Sequence, residues 1–115
     1  EAVKPLLEIK EHPYTPDFMI PRDKATACFD ADKLQHPLSL RLCRQGDSFV
    51  PFGMKGRKKV SDYLTDRKFS ILHKERQWVL CCGDDIIWLV GERADNRFRI
   101  DEKTRKVLVV STTDQ

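Results

Sequence analysis

Gln77-Trp78-Val79-Leu80-Cys81-Cys82, then Gly83-Asp84-Asp85, then Ile86-Ile87-Trp88-Leu89-Val90, is the stretch on which the fold turns. Two short apolar runs rich in β-branched and aromatic residues, parted by turn-forming residues, predict a β-hairpin with a three-residue loop. Neighbouring side chains on a strand point to opposite faces, so Cys81 and Cys82 part company, and both tryptophans pack in or beside the core.

Upstream, Leu38, Leu40 and Leu42 alternate with Ser39, Arg41 and Cys43, the period of a half-buried strand that turns Arg41 away from the leucines. Arg44-Gln45-Gly46-Asp47 reads as a turn and Ser48 to Phe52 as a second strand closed by Gly53. In Arg57 to Asp66, Val60, Tyr63 and Leu64 fall at i, i+3 and i+4, which predicts a helix of about two turns with those residues buried together. Downstream, Phe98 to Ile100 is expected to pair with Val107 to Val110 in a final hairpin.

The first 37 residues carry Pro5, Pro13, Pro16, Pro21 and Pro37, which forbid a long helix and leave extended pieces near Leu6 to Ile9 and Ala25 to Phe29. They read as a linker or the end of a preceding domain, with the main domain over residues 38–115. The class is α+β, mostly β, with one short helix.

At 115 residues, 40% apolar and 34% charged, the chain has the size and composition of one globular domain. The longest apolar run, Ile86 to Val90, is far below the roughly 20 residues a membrane helix needs, so no membrane partner is expected. The chain starts Glu1-Ala2-Val3-Lys4, with no sign of a secretory signal, and reads as a fragment of something longer. Cys28, Cys43, Cys81 and Cys82 lack metal-ligand spacing and sit in apolar runs, which fits a reducing cytoplasm. His12, His36 and His73 are scattered, and no metal site is expected.

The net charge of +3 is unevenly spread. Lys55 to Arg76 holds eight basic residues against three acidic ones, which leaves the rest of the chain with a net charge of −2. Such a concentration is the footprint of a phosphate-facing surface, or else a plain solvated face. Gly53-Met54-Lys55-Gly56 lacks the Gly-Lys-Ser/Thr end of a nucleotide-binding P-loop. The same glycine spacing occurs in KH domains, but those require a helix before the first glycine, where this chain has a strand-like run. The preferred reading is a glycine-permitted turn that delivers Lys55, Arg57, Lys58 and Lys59 to a phosphate backbone. Asp84-Asp85 belongs to a turn, and Asp62 and Asp66 have basic neighbours to pair with, so no catalytic residue is expected.

One ordered set of residues goes further: Arg41 and Arg44, Gly46-Asp47, Pro51 and Gly53, Lys58-Lys59 opening a short helix, Lys68 after it, Trp78 to Leu80, and Trp88-Leu89-Val90-Gly91-x-Arg93. In this order they resemble the C-terminal domain of bacterial tRNA(Ile)-lysidine synthetases, over Leu40 to Val110. The resemblance implies a β-sandwich-like domain of the kind shared with the phenylalanyl-tRNA synthetase β subunit. It implies a non-catalytic module that engages the acceptor stem of an isoleucine tRNA, while a separate N-terminal domain, using ATP and magnesium, attaches lysine to the wobble cytidine. The S-G-G-x-D-S loop of that adenylating domain does not occur here. Lys55, Arg57, Lys58, Lys59 and Lys68 are then the candidate phosphate contacts, flanked by Arg41, Arg44 and Arg93. Arg41 and Arg93 have a competing role, pairing with Asp47 or Glu92 to hold loops. The implied partners are tRNA, the protein's own catalytic domain and, on a rival reading, an acidic protein or a second copy in a homodimer.

Overall fold

The computed structural model describes residues 3–113. Its middle layer is the hairpin of β6 (Trp78–Cys82) and β7 (Asp85–Leu89), extended by β3 (Leu38–Leu42) beside β6 and β8 (Arg93–Ala94) beside β7 into a four-stranded antiparallel sheet. The hairpin is tighter than the sequence suggests. Cys82 pairs with Asp85, so the loop is Gly83-Asp84 alone, with Gly83 at φ 59° in the first loop position. Tight mirror-image hairpin turns demand that positive φ, and a β-carbon there would also stand 3.0 Å from His36 Cβ.

A second sheet covers one face of this layer, with β9 (Lys106–Thr112) between β1 (Leu7–Pro13) and β2 (Thr26–Asp30). The extended pieces foreseen in the first 37 residues are therefore hydrogen-bonded strands, and this sheet joins chain from both sides of residue 37. The expected final hairpin does not form. Phe98 instead closes the short 3-10 turn Asn96–Phe98, and the apolar run of β9 finds two long strands to pair with rather than a three-residue one.

Ala27, Phe29 and Val110 of the outer sheet meet Leu80, Cys82, Ile87 and Trp88 of the middle one, with Phe98 beside them. On the other face Val79, Cys81, Ile86 and Leu89 pack under α1 (Val60–Asp66) and Phe49. Cys81 and Cys82 do face opposite cores. A register shift between Leu80 and Cys81 leaves Ile87 without a direct partner, and this bulge puts Ile87 and Trp88 in the same core. Burial on both faces explains why β6 and β7 are apolar throughout rather than alternating.

α1 buries Val60, Tyr63 and Leu64 as their spacing predicts, with Tyr63 set edge-on to Phe49 at 5.5 Å. The helix begins one residue after Lys59, because Lys58–Lys59 form a short strand, β5, paired with β4 (Ser48–Phe49). It ends with two reversed hydrogen bonds, Phe69 N–H to Leu64 O (3.0 Å) and Lys68 N–H to Thr65 O (2.9 Å). That Schellman ending needs a left-handed residue at its C′ position, and here the residue is Lys68, at φ 69°. A second helix, α2 (Ile71–Lys74), is one turn long and capped by the Ser70 hydroxyl. The sequence reading expected a single helix.

Candidate nucleic-acid interface

The basic segment sits where the β3–β4 turn, the β4–β5 pair and the start of α1 converge. Asp47 organises it. Its carboxylate accepts both outer nitrogens of Arg41 (2.9 and 3.1 Å) and the backbone N–H of Arg44 (2.7 Å), while its carbonyl accepts the first amide of α1 from Val60 (2.9 Å). Burial by itself would raise the Asp47 carboxyl, but the hydrogen bonds from Arg41 and the Arg44 amide outweigh it and hold the group below its ordinary value. The next residue, Ser48, pairs with Lys59 and accepts a hydrogen bond from Arg57 at 3.1 Å. One short framework thus places Arg44, Arg57 and Lys59 together.

The eight candidates divide by what their charges meet. Arg41 is held by Asp47, the loop-holding role foreseen for it. Lys58 reaches back to the Asp66 carboxylate at the end of α1. Arg93 does not pair with Glu92. It donates to the carbonyl of Phe52 (2.6 Å), and Glu92 takes Arg67 at 3.0 Å. Among the described residues, the side chains of Arg44, Lys55, Lys59 and Lys68 have no acidic partner within ion-pair distance, and all four are exposed.

Ser48 to Phe52 is a strand only over its first two residues. Pro51 makes one isolated bridge with Asp95, and Phe52 and Gly53 form the middle of a turn closed by Met54 N–H to Pro51 O (2.9 Å), with Gly53 at φ 88°. The turn is fastened from the far side by Ala94, Asp95 and Asn96. Asp95, fully buried, accepts Val50 N–H (2.9 Å) and two Arg97 nitrogens (3.0 and 2.9 Å). Asn96 accepts Gly53 N–H (3.0 Å), and Ala94 accepts Phe52 N–H (2.9 Å). The available signal was an Asp ahead of a short turn, the usual capping position, and Asp95 does accept Arg97 N–H at 2.8 Å.

Burial, with Asp23 adding to it, pushes the Cys28 thiol up to about 11, and burial also raises Cys43 and Cys81, the reverse of what a reactive thiolate needs. No helix among the described residues is long and apolar enough to cross a membrane.

Residues 38–110 match the sequence model of the family described as the TilS substrate C-terminal domain. The chain belongs to that family. Over 110 residues the TilS-type chain is 64% identical to the tRNA(Ile)-lysidine synthase of Bacteroides thetaiotaomicron, covering 95% of this chain and 26% of that protein. It is 61% identical to the same-named protein of Parabacteroides distasonis over 84% of this chain and 22% of the relative. It therefore spans about a quarter of the length of these relatives. The fold is similar to a crystal structure of a TilS C-terminal domain, with a TM-score of 0.73, 19% identity, and coverage of 95% of this chain and 85% of that one. It is also similar to an N-terminal fragment of the phenylalanyl-tRNA synthetase β subunit from Pyrococcus horikoshii, with a TM-score of 0.65, 19% identity, and coverage of 76% and 27%.

Proposed function

We propose that this domain binds the acceptor stem of an isoleucine tRNA through phosphate contacts, and so helps a tRNA(Ile)-lysidine synthase hold its substrate. The observation that carries the reading is the set of exposed cations without an acidic partner among the described residues, Arg44 and Lys59 at the Asp47 framework and Lys55 and Lys68 on the chain around it, in a chain of this family. A stem of A-form RNA hides its bases in a deep groove, so recognition by surface lysines and arginines leans on backbone shape and charge. Arg57, anchored by a serine hydroxyl, joins this set, and Lys58 joins it if phosphate competes successfully with Asp66. Arg41 and Arg93 act mainly by fixing the loops that carry the others.

In the parent enzyme the domain makes no bond itself. ATP and magnesium would be held by the catalytic portion, which lies outside this sequence, and lysine would be joined to the wobble cytidine there. The whole protein acts in the cytoplasm on this reading.

The test is a salt titration of binding to an isoleucine tRNA, to its isolated anticodon arm, and to the tRNA with Lys55→Glu/Lys59→Glu protein. The expected result is steep salt dependence that requires the acceptor stem and weakens in the variant, with the slope falling by roughly one for each phosphate that is no longer neutralised. Retained affinity in the variant, or equal affinity for the anticodon arm, overturns the proposal.

A further inference from the structure

The ring of Phe52 is half exposed, at 50%, although Val50 and Pro51 before it are buried. A large apolar side chain on a surface turn usually lies against its own protein. Here the backbone beneath it is fastened at three points, through Ala94, Arg93 and Asn96, while the ring stays in contact with solvent. It borders a groove of about 710 Å³ whose apolar walls include the exposed Met19 and Ile20.

The groove also carries more positive charge than negative. Arg22, Lys24 and Arg93 line it against Asp23 and Glu92. Both acids are engaged, Asp23 with the amide of Ala25 and Glu92 with Arg67. Arg22 and Lys24 have no acidic partner within ion-pair distance among the described residues. An apolar protein surface would satisfy the ring but not these cations. A flat base joined to phosphates satisfies both, because stacking on an aromatic face tolerates any base while arginine and lysine take the backbone.

We infer that this groove seats an unpaired nucleotide of a single-stranded RNA segment, with its base stacked on Phe52 and its phosphates drawn to Arg22 and Lys24. The inference rests on the tRNA reading and deepens it, since the exposed Lys55 and Lys59 follow Phe52 closely along the chain. The rigid turn lowers the ordering cost of stacking, as the backbone carrying the ring is already fixed.

The experiment compares two labelled RNAs of equal length by anisotropy, a blunt hairpin and the same stem with an unpaired four-nucleotide 3′ overhang, against the chain and its Phe52→Ala and Phe52→Trp variants. The expected outcome is that the overhang strengthens binding, that Phe52→Ala weakens the overhang complex about tenfold while leaving the blunt hairpin nearly unchanged, and that Phe52→Trp restores it. Equal losses on both RNAs, or no loss on either, overturn stacking without touching the tRNA reading. Failure of the unaltered chain to bind either RNA removes both. A change in self-association caused by Phe52→Ala, with RNA binding unaffected, would assign the groove to a protein contact and overturn the inference.

Discussion

Two loops of this protein are each organised by an aspartate that gathers a guanidinium and a backbone N–H, yet they differ in what they leave over. In the 91–97 segment Asp95 is fully buried, and both arginines there are turned inward, Arg97 onto Asp95 and Arg93 onto the Phe52 carbonyl. In the 41–47 segment the Asp47 carboxylate holds, among the described residues, Arg41 and an amide, so the Arg44 side chain remains exposed to solvent, as do Lys55 and, across from Ser48, Lys59. Positive residues that look alike in the sequence thus divide into those that hold the fold and those that the fold displays. A count of basic residues measures the sum of the two, and only the displayed ones are available to a phosphate.

The comparison breaks most severely at Asp95. Asp95→Ala leaves the Val50 N–H without its acceptor and the Arg97 guanidinium with only the longer contact to Asp85 at 3.4 Å, and the expected loss is about 3 kcal/mol, read as a lowered urea midpoint. If the loss is no larger than that of an ordinary surface substitution, the two loops are not distinguished by burial as described. Asp47→Asn should cost about 1 kcal/mol at neutral pH, because the pair it breaks is partly solvated.

That second variant also has a pH signature. The folded Asp47 carboxyl lies below its unfolded value, so its contribution is fully present above the unfolded pKa of about 3.9 and disappears as pH falls through the folded one. The stability gap between the natural chain and Asp47→Asn should therefore narrow in acid. Urea titrations at neutral pH and below pH ~4 check this, and a gap that widens in acid would reverse the assigned sign.

Lys68 tests the boundary between the two classes. Its left-handed backbone costs about 1 kcal/mol for a residue with a β-carbon, partly offset in a glycine variant by the greater freedom of the unfolded chain. Lys68→Gly should raise stability by roughly 0.5 kcal/mol while reducing the salt dependence of tRNA binding. A rise in stability with unchanged RNA binding would remove Lys68 from the interface. The smallest effect on stability belongs to Lys55→Glu/Lys59→Glu, within about 0.5 kcal/mol by thermal unfolding, since neither side chain has an acidic partner among the described residues to give up. A large destabilisation would place these lysines among the structural cations after all.

Much of the architecture follows from local pattern. The paired apolar runs at 77–90, the alternation at 38–42 and the i, i+3, i+4 spacing of Val60, Tyr63 and Leu64 lead to β6, β7, β3 and the buried face of α1, because side-chain periodicity depends only on near neighbours along the chain. The ordered motif likewise placed the chain in its family. Tertiary structure decided the rest. Whether Val107–Val110 would pair with residues close behind or with strands about eighty to a hundred positions earlier is a competition between distant segments that no local window contains. Whether a cation is held or displayed depends in the same way on which carboxylate comes within about 4 Å in space. Asp95 and Arg97, two residues apart, look no more significant in sequence than any polar loop, and they become a fastening only when Val50 is folded against them.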